Sequence, residues 1–163
     1  EVPEGAVGEA VYRGPTVMKE YYKDQKATAE AMKRGWFHGG DLVRMDEQGY
    51  IYVVDRKKDM IVSGAENIYP AEVEAVLSTH AKIIEWAIIG VWELECCEAV
   101  QAVVVRKPGE TVTQEEIIDF CKANLASYKK PKSVDFVDAL PRNAMGKVLK
   151  RELREKYGKS VKY

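Results

Sequence analysis

Met60-Ile61-Val62-Ser63-Gly64-Ala65-Glu66-Asn67-Ile68-Tyr69-Pro70-Ala71-Glu72-Val73-Glu74-Ala75-Val76-Leu77 changes its hydrophobic period part-way along. Met60, Ile61 and Val62 form a short apolar run that suits a strand, and the small, polar residues 63–67 suit a loop. Pro70 has a preset φ and lacks the N–H that a first helical turn would leave unpaired. Val73, Val76 and Leu77 then fall at i, i+3 and i+4, so the spacing predicts a helix over residues 70–79.

Reading onward, residues 83–91 and 99–106 are β-rich runs joined by an acidic, thiol-bearing loop at 93–98. Lys107-Pro108-Gly109-Glu110 is a turn. Thr113-x-x-Glu116 is a capping box opening a helix with Ile117, Ile118, Cys121 and Leu125 on one face. Residues 134–137 suit a further strand, 140–147 a loop, and 149–157 a charged final helix. From Met60 the order is strand, helix, strand, strand, helix, strand, helix with short connections. That order predicts an α+β fold, a short sheet covered by helices on one side.

Reading backward, residues 7–13 suit a strand closed by Gly14-Pro15. Residues 27–33 suit a short helix capped by Gly35, and 42–45 with 50–54 a hairpin around Asp46-Glu47-Gln48-Gly49. The first 55 residues are nearly all strand and loop. The polar stretch Asp55-Arg56-Lys57-Lys58-Asp59 reads as a boundary between two units.

The 163 residues are 46% hydrophobic and 31% charged, which excludes disordered, collagenous and coiled-coil chains. The longest apolar run, from Trp86 to Trp92, falls far short of the roughly 20 residues of a membrane span. Cys96, Cys97 and Cys121 make an odd count with no metal-ligand spacing, so a reducing cytoplasm is the expected compartment. The chain opens on Glu1, without Met, basic leader or apolar signal core, and reads as a mature or excised piece. Its net charge of -1 hides an asymmetry: residues 129–163 hold eleven basic and four acidic residues, a net of +7. Such a tail could meet nucleic acid, an anionic surface, a polyphosphate ligand or only water.

Three polar clusters separate the predicted elements. In Gly39-Gly40-Asp41 two glycines allow close approach to the backbone, and the carboxylate can accept a pair of hydroxyl hydrogen bonds, as from a ribose diol. In residues 55–59 a fixed guanidinium, Arg56, suits a phosphate or ribose. In Asn143-Ala144-Met145-Gly146-Lys147 a glycine-hinged loop presents one ammonium, able to neutralise a phosphoryl group as a point charge. Each also has a plainer reading, as a turn or a solvated charge run.

Together they carry more. Residues 35–42 (GWFHGGDL), Asp46-Glu47-Gln48-Gly49-Tyr50, residues 55–61, residues 64–74 (GAENIYPAEVE) and residues 140–147 (LPRNAMGK) closely resemble the C-terminal third of the adenylate-forming superfamily, in its order and spacing. This superfamily contains acyl- and aryl-CoA synthetases, adenylation domains of peptide synthetases and firefly luciferase. The resemblance covers essentially the whole chain. It implies a division into residues 1–56, the last β-strands of a large domain's β-barrel subdomain, and residues 57–163, a small mobile C-terminal lid domain. It implies a two-step reaction in which a carboxylate attacks the α-phosphate of ATP, and a thiol then displaces AMP after the lid has turned.

By the same resemblance Asp41 binds the ribose, Arg56 contacts the ribose and phosphate region, and Lys58 is the hinge. Lys147 reaches the active site in the first step, and Ser63, Gly64, Ala65, Glu66 and Asn67 line the tunnel for the thiol of coenzyme A. ATP, Mg2+ and coenzyme A are the implied cofactors, with Mg2+ held mainly by the absent large domain and no metal ligand expected in this chain. The implied partners are a small carboxylic acid and the missing domain, with neither nucleic acid nor an integral membrane segment. Exposed strands are expected to favour self-association.

The forms of residues 55–59 and 71–74 favour a ligase of fatty or aromatic acids with CoA over a domain that charges a carrier protein. A stand-alone basic binding module is the remaining alternative, disfavoured because the aromatics of the tail are widely spaced. Departures from the family pattern are Gly39 in place of Thr, Ala65 in place of a second Gly, and Trp92, Cys96 and Cys97 in place of Pro, an aromatic and Gly. The family's phosphate loop and acyl pocket are not in this sequence, so the chain is expected to be inactive alone.

Overall fold

The chain divides into two compact units, Glu1–Lys58 and Asp59–Tyr163, in a computed structural model that describes residues 1–94 and 97–158. The Met60 to Leu77 stretch lies near the start of the second unit. Its strands are β5 (Ile61–Ser63) and β6 (Glu66–Ile68), a tight hairpin in which Ser63 pairs with Glu66. The expected loop at 63–67 is therefore a two-residue turn at Gly64 and Ala65. Gly64 has φ +58°, so its position matches the type II′ turn that suits the strand twist. Helix α2 (Pro70–Leu77) follows with Pro70 in its first turn, and Val73 and Leu77 are fully buried.

The rest of this unit is built around one strand. β7 (Ile83–Glu93) and β8 (Cys97–Arg106) pair antiparallel from Ile83↔Arg106 to Glu93↔Cys97. The other side of β8 takes β5 at Ser63↔Cys97 and, in parallel, β9 (Ser133–Phe136) from Gln101↔Ser133 to Val104↔Phe136. Flanked on both sides, residues 99–105 of β8 are all buried, which explains why they read as a nearly continuous apolar run.

The period of two along β7 and β8 divides their side chains between two cores. Ile88, Val100, Ala102 and Val104 meet Val73 and Leu77 of α2 together with Ile117 and Cys121 of α3 (Gln114–Asn124). Ala87, Ile89, Val103 and Val105 meet Leu140 and Leu153, the latter on α4 (Lys150–Tyr157). Helices therefore lie on both faces, where the sequence order suggested one. Leu153 supplies the second face from a helix so polar that its single buried side chain gives a weak apolar period.

In the first unit, β1 (Val7–Tyr12), α1 (Gln25–Ala31), β2 (Met32–Lys33), β3 (Trp36–Met45) and β4 (Ile51–Arg56) follow in order. The long β3 pairs with β1 along one stretch and with β2 and β4 at its two ends. Gly35 does not cap α1. Arg34 and Gly35, at φ +52° and +78°, are the two central residues of a β2–β3 hairpin, a primed turn. The glycines at 39 and 40 lie inside β3, not in a loop before it. Register shifts near this point accommodate them, between Glu9 and Val11 on β1 and between Leu42 and Val43 against β4. No helix among the described residues is long and apolar enough to cross a membrane.

Candidate functional site

In the first unit the register Asp41↔Arg56 brings two of the sequence-predicted residues together across β3 and β4. Arg56 Nε donates to Asp41 Oδ1 at 2.7 Å, and the carboxylate is about one-third exposed. One oxygen of Asp41 is thus committed to the guanidinium. The pair can offer a carboxylate acceptor and cationic donors together, which suits a hydroxyl-bearing, anionic ligand. Gly40 sits beside them at φ +78°, and its carbonyl accepts from Lys57 N–H at 2.8 Å. A Cβ at Gly39 would stand 3.2 Å from the Tyr12 ring, so the departure from Thr is matched by close packing of an aromatic there.

An open depression of about 660 Å3 lies alongside, lined by His38, Gly39, Gly40, Arg56, Lys57 and Lys58 with α1 on the other side. Its cationic rim is ordered by a residue that the sequence reading missed. Glu9 Oε2 accepts from Lys57 Nζ at 2.8 Å and lies 3.0 Å from His38 Nδ1, with the Glu9 side chain only 16% exposed. The Lys57 hydrogen bond outweighs the opposing effect of burial and, with His38, holds the Glu9 carboxyl below its ordinary value. The available signal was a carboxylate in the middle of an alternating strand, a costly place unless it is paired.

In the second unit Ser63, Gly64, Ala65, Glu66 and Asn67 all belong to the β5–β6 hairpin. Glu98 of β8 accepts from Val62 N–H at 2.8 Å and ties that hairpin to the central strand. Cys97, exposed and at φ +68°, pairs in register with Ser63, while Cys96 lies outside the described residues. Burial pushes the Cys121 thiol up to about 11, so it is a core residue without nucleophilic character.

Lys147 ends a turn that the sequence reading took for a glycine-hinged loop and that is in fact closed by its own hydrogen bonds. Asn143 Oδ1 accepts from Met145 N–H and Lys147 N–H at 3.0 and 2.9 Å. The Asn143 backbone exchanges bonds with Gly146 and Lys147, and Arg142 Nη1 donates to Gly146 O at 2.7 Å. Gly146 supplies the positive φ, +79°, that the turn requires. The Lys147 side chain projects from this frame, exposed and with no hydrogen-bond or ion-pair partner among the described residues.

That isolation is unusual in the basic tail. Lys129, Lys132, Arg142, Lys150, Arg151 and Arg154 all pair with acidic side chains: Glu72, Glu93, Glu85, Glu74, Glu155 and Asp59 respectively. Most of the tail's described positive charge is therefore consumed internally. Only Lys130, Lys147 and Lys156 are without an acidic partner there. No group of three or more His, Cys, Asp and Glu side chains among the described residues is placed to hold a metal ion, so no donor set for Mg2+ is present in them.

Residues 72–147 match the family described as the AMP-binding enzyme C-terminal domain. The chain carries an AMP-binding enzyme C-terminal domain. It is 49% identical over 154 residues to a 2-succinylbenzoate–CoA ligase of Bacillus mycoides, covering 94% of this chain and 32% of that protein. It is 48% identical over 157 residues to a feruloyl-CoA synthase of Amycolatopsis sp, covering 96% and 32%. Among solved structures, ATP-bound MatB from Rhodopseudomonas palustris matches with a TM-score of 0.88 at 39% identity, covering 99% of this chain and 32% of that one. The chain thus spans about a third of the length of the curated relatives it matches.

Proposed function

We propose that this chain is the lid-bearing part of an ATP-dependent acid–CoA ligase. In the first step a carboxylate oxygen bonds to the α-phosphorus of ATP and pyrophosphate leaves, giving an acyl-adenylate. In the second the thiolate of coenzyme A attacks the acyl carbon and AMP leaves, giving a thioester. Residues 1–56 would close the large domain of the longer protein, and residues 57–163 would form the lid.

The observation that carries this reading is the Lys147 turn: a hydrogen-bonded frame that holds up one ammonium without an acidic partner among the described residues, in a tail whose other described cations are mostly paired. Negative charge must be shared between the attacking carboxylate and the α-phosphate, and one placed ammonium stabilises both without moving a proton. Asp41 and Arg56 would take the ribose hydroxyls and the nearby phosphate. Lys58, the last residue of the first unit, would be the hinge. The β5–β6 hairpin, whose turn residues are small, would line the path of the incoming thiol.

The two curated relatives are almost equally similar yet their names specify different acids, 2-succinylbenzoate and ferulate. Choice of acid therefore resides outside this part of the protein. Fatty and aromatic carboxylates are both to be screened with the full-length protein. The free thiols at Cys97 and Cys121 agree with a cytoplasmic setting.

The test is Lys147→Ala in the full-length protein. Pyrophosphate release from ATP and acid is expected to fall by about a hundredfold or more, the scale for losing one electrostatic stabiliser of a transition state. Thioester formation from synthetic acyl-adenylate and CoA is expected to change little. Equal loss in the two half-reactions would overturn the role. Transfer to a carrier protein, with none to CoA, would reassign the acceptor.

A further inference from the structure

Two ion pairs lie on either side of Lys58, and each stays within its own unit. On the upstream side, Lys57 is held by its backbone and by its side chain. Its N–H donates to Gly40 O of β3 at 2.8 Å, and its Nζ donates to Glu9 Oε2 of β1 at 2.8 Å. The residues before it are already in the ladder, Asp55 opposite Leu42 and Arg56 opposite Asp41. On the downstream side, Asp59 Oδ1 accepts from Arg154 Nη2 of α4 at 2.6 Å, with side chains 14% and 29% exposed. Ile61, two residues further on, is 1% exposed in the core. Lys58 alone between them is exposed and has no hydrogen-bond or ion-pair partner among the described residues.

We propose that Glu9 and the Asp59–Arg154 pair are positioning elements that confine the hinge to the backbone of Lys58. The inference rests on the reading of Lys58 as the hinge and goes beyond it by naming what fixes the pivot to one residue. Without Glu9 the hydrogen bond to Gly40 O would alone restrain Lys57, and without Arg154 the last free torsion would lie beyond Asp59. A pivot spread over three residues samples many orientations of the second unit, whereas a pivot of one residue selects few. Arg154 also lies on α4, the helix that directly follows the Lys147 turn: Leu149 N–H donates to Pro141 O at 2.8 Å and α4 begins at Lys150. The contact at Asp59 therefore joins the end of the pivot to the element nearest the ammonium to be delivered. Both contacts are charge-assisted, and the low exposure of Glu9 and Asp59 limits competition from water and salt.

The experiment uses the full-length protein and compares Glu9→Gln, Arg154→Gln, the exchanged pair Asp59→Arg with Arg154→Asp, and Lys58→Pro. The expected result is that Glu9→Gln and Arg154→Gln each lower kcat of the complete reaction about threefold to tenfold, leaving KM for CoA unchanged. Single-turnover adenylation should change less than twofold, because the loss falls on reorientation of the lid and not on chemistry. The exchanged pair should recover kcat to within about twofold of the parent. A merely structural contribution would instead lower both half-reactions together, and that result overturns the inference.

Lys58→Pro, which fixes φ at the pivot, separates the hinge from its anchors. If it impairs one half-reaction selectively while Glu9→Gln and Arg154→Gln leave kcat unchanged, the anchors are wrong and the hinge stands. If it alters neither half-reaction, the hinge reading fails and the anchors fail with it.

Discussion

Asp41, Arg56 and Lys147 could be singled out from their residue types and neighbours, whereas Glu9 could not. A glycine pair before an acid, or a lysine after Gly146, leaves a local mark in the sequence. The value of Glu9 depends on register, because β1 must pair with β3 for its carboxylate to meet His38 and Lys57. That pairing sets a pH dependence. The Lys57 hydrogen bond, opposed by burial and helped by His38, lowers the native pKa of Glu9 from its ordinary 4.5. A lowered native value adds stability that is present above the unfolded pKa and is lost as pH falls through the native one. Glu9→Gln should therefore lower the melting temperature of the full-length protein at pH 7, and the difference from the parent should shrink steadily below about pH 4.5. A difference that stayed constant down to pH 3 would show that packing, and not charge, carries the effect.

At the scale of elements, the signals that held were those in which one residue decides a backbone state. Pro70 opens α2, and Thr113 caps α3 by accepting from Glu116 N–H at 3.2 Å. The reciprocal half of the expected capping box goes elsewhere, since the Glu116 carboxylate pairs with Lys82 at 3.2 Å. Thr113→Ala should cost about 1 kcal/mol, a fall of a few degrees in melting temperature, while Glu116→Gln, which breaks only an exposed pair, should cost less than about 0.5 kcal/mol. Equal losses would mean that the ion pair matters as much as the cap. Signals failed where glycine was read as the end of an element. Gly35 serves a hairpin, and Gly39 and Gly40 lie within β3 at the point where its register to β1 shifts. Coverage of the second sheet face was hidden for a related reason: α4 contributes Leu153 from a helix dominated by charge.

At the scale of the whole molecule, the distribution of buried apolar side chains sets apart two units that share one chain. Leu42 is the one described hydrophobic side chain of residues 1–58 that reaches the buried class, whereas the second unit buries two layers on either side of β7 and β8. Along β4, Ile51 and Val53 are 66% and 70% exposed, an edge strand with apolar side chains and open backbone groups. Such an edge invites pairing with another strand, either from the longer protein or from a second copy. Residues 59–163 expressed alone should unfold cooperatively and sediment as a monomer, because their core needs nothing from the first unit. The 163-residue chain should associate in a concentration-dependent way, and Ile51→Lys with Val53→Lys should suppress that association without altering the melting of the second unit. A monomeric 163-residue chain with β4 protected from hydrogen exchange would show that the first unit completes its own fold. In that case the need for a larger partner domain would have to be argued from catalysis alone.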